Sequence, residues 1–263
     1  MMGWDLVRPE FVISIFLVVA RVSGLFLIAP LFSNKAVPAR MKIAFVVMFS
    51  LILVPMISMK PRPILLTSDL ALWIAILQEV TLGLVLGFAC YLVFAAVQVA
   101  GELIGNQVGF SVATLFDPAN EGASGILTMF YVILGALLFL ALDGHHIVLA
   151  ALTKSFQILP IGVPFEMKIS AGIVELITRI FIVGMQASVP LILVLTMLNF
   201  IFGFVNKLSP QMNIYFNTGF ILGPVVGIIV LIVSIPLFRV LMTQLTHGME
   251  PDLIQLMRAL KGI

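Results

Sequence analysis

Cysteine, histidine and charge are scarce in this chain. Cys90 is the only cysteine in 263 residues, so no intrachain disulfide can form. It lies in an apolar run and reads as a small buried hydrophobe. Three histidines are present, and the adjacent pair His145 and His146 does not point easily at one ion, so no metal centre is assigned. Charged residues make up 10% of the chain and nearly cancel to a net +2, too little and too scattered for a nucleic-acid surface. Long polar segments are missing too, so no soluble domain is expected. There is no ordered nucleophile and base, no phosphate-cradling glycine loop and no His-Glu-x-x-His, hence no catalytic centre and no cofactor to assign.

What the chain holds instead is apolar. Hydrophobic residues make up 62% of it, with a mean hydropathy of +1.22. That composition belongs to a polytopic membrane protein. The reading is all-α, with about six long, kinked hydrophobic helices in a single membrane domain over residues 1–263. The N-terminus does not read as a cleaved signal, because Asp5 and Glu10 offset Arg8 and Arg21 interrupts the apolar stretch. It is expected to be retained.

Phe11 to Phe32 is long enough to span, and a basic turn with Pro38 leads to a second segment, Ile43 to Met59. A Pro-punctuated linker, Lys60 to Ser68, precedes one helical pattern running from Asp69 to about Gly109. That pattern would reach about 60 Å, roughly twice a bilayer core, so it must bend, break or leave the bilayer plane. Ile126 to Leu142 follows, and apolar residues resume after Asp143-Gly144-His145-His146 as far as Leu152. A loop is expected over Thr153 to Lys168, then an overlong helix over Ile169 to Val205, a turn, and a last long segment over Ile214 to Met242. Pro251 is expected to start a short amphipathic helix, within residues 250–262, with Leu253, Ile254, Met257 and Leu260 on one face. Basic residues fall on both sides of a six-span reading, so orientation stays open.

Residues 97–118 stand apart from this background. Gly101, Gly105 and Gly109 recur every fourth residue and form a small-residue seam that lets another helix backbone come close. Gln98, Glu102 and Asn106 repeat at the same interval, one position along, as a polar stripe beside the seam. A carboxylate there should face protein or a water-filled space. From Gly109 to Pro118 the helical period fails, and an irregular loop ending in Asp117-Pro118 is expected. Its apolar groups Phe110, Val112, Leu115 and Phe116 suit either a plain connection or a plug that excludes water from a pore. Gly83 and Gly87 earlier in the same helix, and Gly219, Gly223 and Gly227 near the end, share the close-packing spacing.

Arg21, Glu79, Glu102, Glu175 and Arg179 lie inside apolar segments, where ionisable groups are paired or functional. With Gln98 and Gln107 they form the set of intramembrane polar groups and candidate ion pairs. Glu175 and Arg179 stand four apart and can pair on one helix face.

The run Gly101-Glu-Leu-Ile-Gly-x-Gln-x-Gly-x-Ser-x-Ala-Thr-x-x-Asp-Pro118 resembles the hallmark of the FliR family, export-gate components of flagellar type III secretion. Three more stretches resemble that family in order and spacing. They are Ala36 to Lys42, the Asp143-Gly144-His145 turn, and Leu198-Asn199 followed by Val205 to Met212. The Asp117-Pro118 ending and the Asp143 turn are more similar to the flagellar branch than to the injectisome branch.

The resemblance implies bent helical hairpins similar to a FliP–FliQ fusion. It implies a gate assembled with FliP and FliQ, with FlhB and FlhA nearby, in the basal body at the bacterial inner membrane. Unfolded flagellar proteins would pass through that gate. It further implies a pore plug made of Gly109, Phe110, Ser111, Val112, Ala113, Thr114, Leu115, Phe116 and Asp117. The rival reading is a small-solute or ion-coupled secondary transporter using Glu79 and Glu102 near broken helices. Such a transporter should show an internal repeat with paired broken helices, and the two glycine series are only a faint echo of one.

Overall fold

The computed structural model describes residues 9–33, 37–57, 69–108, 125–162, 171–208 and 214–261. Nearly all of those residues are helical, with no strand among them, as expected of an all-α membrane chain. In chain order they form α1 (Pro9–Ile28), α2 (Pro30–Ser33), α3 (Ala39–Leu53), a 3-10 turn (Val54–Met56), α4 (Asp69–Val108), α5 (Ile126–Ala141), α6 (Gly144–Ile158), α7 (Ala171–Leu208) and α8 (Ile214–Lys261). Two helices, Phe11–Ile28 and Asp69–Gln107, are long and apolar enough to cross a membrane. The α5–α6 pair, counted as one broken span, supplies a third among the described residues.

The helix number departs from six, and each departure has a local cause. The first apolar segment breaks at Ala29, because Pro30 disfavours helical backbone in the residue before it. Pro55 tightens the end of α3 into a 3-10 turn. After α5 the chain turns at Leu142–Asp143, where Asp143 takes a left-handed conformation with φ 57°. Asp tolerates that conformation better than most side chains. Helix then resumes and runs to Ile158, through residues 153–158 that had read as loop.

No new helix begins at Pro251, because α8 continues through it and through Pro224 and Pro236. Phe238, Leu241, Met242, Leu245, Met249, Leu253, Leu256, Met257 and Leu260 are buried and recur at three- and four-residue steps across Pro251. Packing along that unbroken stripe offsets the one backbone donor that proline removes.

The packing groups into two compact units. The first holds α1–α3, α4 as far as Leu92, α6, the start of α7 and α8 from Gly248. The second holds α4 from Val93, α5, the rest of α7 and α8 as far as His247.

In the first unit α1 and α4 meet backbone to backbone. A Cβ on Gly83 would strike the carbonyl oxygen of Arg21, and one on Gly24 would strike that of Val80. Leu17, Val22 and Leu25 of α1, Leu82 and Leu86 of α4, and Leu152 and Phe156 of α6 are buried in that unit. Lipid tails are as apolar as these side chains, so close van der Waals packing holds such helices together more than the hydrophobic effect does.

In the second unit Gly101 of α4 sits against α5. A Cβ there would come 2.9 Å from Thr128 Cα. Gly105 is looser, with Leu127 Cβ at 3.6 Å. The ring of Tyr131 packs edge-on against Phe238 with centroids 5.2 Å apart, and its hydroxyl hydrogen-bonds Ser234 Oγ.

Candidate functional site

The first unit encloses a charge network. Arg21 stands mid-way along α1 and is fully buried, and Glu79 on α4 is nearly so. Arg21 Nε donates to Glu79 Oε2 at 2.6 Å. The other guanidinium nitrogens donate to Ser155 Oγ at 3.1 Å and to the Leu159 carbonyl at 2.9 Å. Ser155 in turn donates to the Leu152 carbonyl. The Phe156 ring lies under the guanidinium, 4.1 Å from its carbon.

The second oxygen of Glu79 accepts the backbone N–H of Gly162 at 3.0 Å. Gly162 has φ 68°, a conformation that glycine adopts without strain. Each member of the ion pair therefore keeps hydrogen-bond partners beyond the other. Two buried ions cost several kcal/mol each to desolvate, and only such complete satisfaction offsets that cost. The network joins α1, α4 and the turn that follows α6.

The close backbone packing at Gly24 and Gly83 supports the same join. Gly83 lies one helical turn after Glu79, and Gly24 three residues after Arg21. The glycines bring the two backbones together where the long charged side chains must meet.

The second unit carries the polar end of α4. Gln98 Nε2 donates to Glu102 Oε1 at 3.0 Å, and Glu102 and Asn106 are exposed. Gln107 Nε2 donates to Thr196 Oγ1 of α7 at 2.9 Å. Thr196 lies on α7 together with Asn199, Phe200, Phe204 and Lys207.

Arg21 and Glu79 come together, and so do Gln98 and Glu102. Glu175 and Arg179 lie in α7, with side chains outside the described residues. Gly219, Gly223 and Gly227 fall within α8. The plug residues Gly109 to Asp117 lie outside the described residues. At the α5–α6 turn, His146 Nδ1 stands 3.2 Å from Asp143 Oδ1, and Asp143, His145 and His146 offer ligand-capable atoms within 4.8 Å of one another. Asp143 and His146 are exposed, and their contact closes the turn.

Sequence patterning assigns no role to Ser155, Phe156, the Leu159 carbonyl or the Gly162 amide, because they lie in the stretch expected as loop. The apolar steps of four, four and three residues through Val148, Leu152, Phe156 and Leu159 are the signal of a helix there.

Comparison with known proteins covers nearly the whole chain. Residues 12–249 match the family described as bacterial export proteins, family 1. The chain is similar to the flagellar biosynthetic protein FliR of Escherichia coli K12, 36% identical over 82% of each chain. It is similar to FliR of Pectobacterium carotovorum at 35% identity, over 89% of this chain and 88% of that protein. FliR of Bacillus subtilis is 32% identical over 82% of this chain and 84% of that protein.

Proposed function

The chain belongs to the bacterial export proteins, family 1, and from that membership we propose how it works as a subunit of the flagellar type III protein-export gate. It is a membrane-embedded structural component of the export apparatus. The similarity to FliR proteins over more than four-fifths of both chains carries this reading.

The subunit assembles with FliP and FliQ in the bacterial inner membrane, at the flagellar basal body, with FlhB and FlhA beside the gate. Gly109 to Asp117 plug the conduit at rest, with Phe110, Val112, Leu115 and Phe116 excluding water. The subunit performs no catalysis, and unfolded flagellar proteins move through on energy supplied elsewhere.

The buried Arg21–Glu79 network and the backbone-close α1–α4 contact suit this role, because a gate subunit must hold its shape while a polypeptide passes. The long α4 suits a chain surrounded by protein as well as lipid, since about 60 Å exceeds a bilayer core.

The test is deletion of the gene in the native host, with a tagged copy returned. Flagellin export is expected to stop and to resume with the tagged chain, which should carry FliP and FliQ through purification. Normal filaments without the chain, or a tagged chain that rescues export yet purifies without partners, would count against the reading.

A further inference from the structure

The exposed side of α4 changes character along its length. Leu70, Trp73, Leu77, Phe88 and Tyr91 are exposed along the earlier part, a surface that suits lipid or apolar protein. From Gln98 onward the exposed side is polar, with Gln98 half-buried and Glu102 and Asn106 exposed. The three recur every fourth residue and lie along one line of the helix. The sides beside and opposite it on the same turns are taken up by packing, since Val97, Ala100, Gly101, Ile104 and Gly105 are buried and both glycines abut α5. The polar line therefore points away from the interior of its own unit.

Glu102 accepts one hydrogen bond from Gln98 and forms no ion pair among the described residues. An ionised carboxylate facing lipid is costly, and a neutral amide beside it does not cancel its charge. A lone cation on a partner subunit would satisfy Glu102 and leave the exposed amide of Asn106 to find a partner of its own. Water satisfies both.

We infer that Gln98, Glu102 and Asn106 form a hydrophilic strip of the conduit wall, and that Glu102 makes the conduit prefer cations. This rests on the gate reading above. The ligands are hydrated monovalent cations and the lysine and arginine side chains of a passing polypeptide, drawn by a fixed negative charge in a narrow, poorly screened passage.

The experiment uses the assembled gate complex with residues 109–116 removed from this chain, reconstituted in planar bilayers under a KCl gradient. The complex should conduct, with potassium more permeant than chloride. Glu102→Gln should lower the permeability ratio at least about fivefold, the factor that one unit charge about 4 Å from the path produces on a single ion at water's dielectric constant. Glu102→Lys should invert it.

A second readout is independent of conductance. Glu102→Cys should react in the assembled complex with a charged, membrane-impermeant thiol reagent, while the native Cys90, which is buried, stays unreactive. A conducting complex whose permeability ratio ignores both charge substitutions, or a Glu102→Gln chain that no longer assembles, overturns the inference alone. The latter would mark Glu102 as a partner's ion pair. An assembled plug-deleted complex that passes no current overturns the plug assignment and moves the seal to a partner subunit, and a Glu102→Cys side chain that stays unreactive in that complex overturns this inference as well.

Discussion

Arg21 holds its three hydrogen-bond partners through separate nitrogens, so no single-charge replacement reproduces it. Arg21→Ala leaves the Glu79 carboxylate buried with only the Gly162 amide, and should destabilise the purified gate complex by about 3–5 kcal/mol in thermal unfolding. Arg21→Lys should recover only part of that, because a point ammonium lacks the planar fork. Arg21→Leu combined with Glu79→Leu should be milder than Arg21→Ala, since no uncompensated charge remains. A double variant as unstable as the single one would show that the site depends on polarity itself. The cost of Arg21 and Glu79 in an apolar segment is legible from composition. Their pairing is not, because 58 residues separate them and nothing in the sequence says which helices touch.

Glycines that look alike in sequence differ once the helices are packed, and this belongs to the scale of the element. Gly83→Ala drives a methyl group into the Arg21 carbonyl, so α1 and α4 must separate, at a cost of about 3 kcal/mol or more. Gly105→Ala meets only Leu127 at ordinary contact distance. It should be neutral or stabilise by up to about 1 kcal/mol, because alanine is the better helix former. Parallel melting of the two variants checks the contrast, and equal losses would contradict it. Asp143→Gly removes the side chain from a left-handed residue but also its exposed contact with His146, so in the same melting experiment it should stabilise the α5–α6 turn by well under about 1 kcal/mol.

The length of α4 could be read from Asp69 to about Gly109, because its apolar pattern has no proline, and the structure runs it from Asp69 to Val108. Residues 153–158 and the passage through Pro251 could not. There, packing of Ser155, Phe156, Leu253 and Met257 overrides local signals that favour a loop or a new start.

For the whole molecule, composition alone pointed to a membrane-spanning helical chain, since scarce charge and a hydrophobic majority exclude a soluble core. Its division into two compact units was not visible, because helices such as α4 and α8 run through both without a linker. The proposed partners left no local mark either, and they enter through family resemblance. Many large apolar side chains remain exposed on α3 and α7, among them Ile43, Leu51, Met197 and Phe200. Such surface suits lipid and neighbouring subunits, so the chain expressed without partners should be degraded several times faster than with them, as pulse-chase labelling would show.

The central claim, that this subunit both builds the export conduit and closes it, is tested most directly by removing residues 109–116 in the native host. Entry of a small dye or loss of cellular potassium is then measured while assembly is followed through co-purified partners. The account predicts a membrane that leaks small solutes through an assembled gate. A tight membrane around an equally assembled gate would contradict it, and would move the seal to a partner subunit.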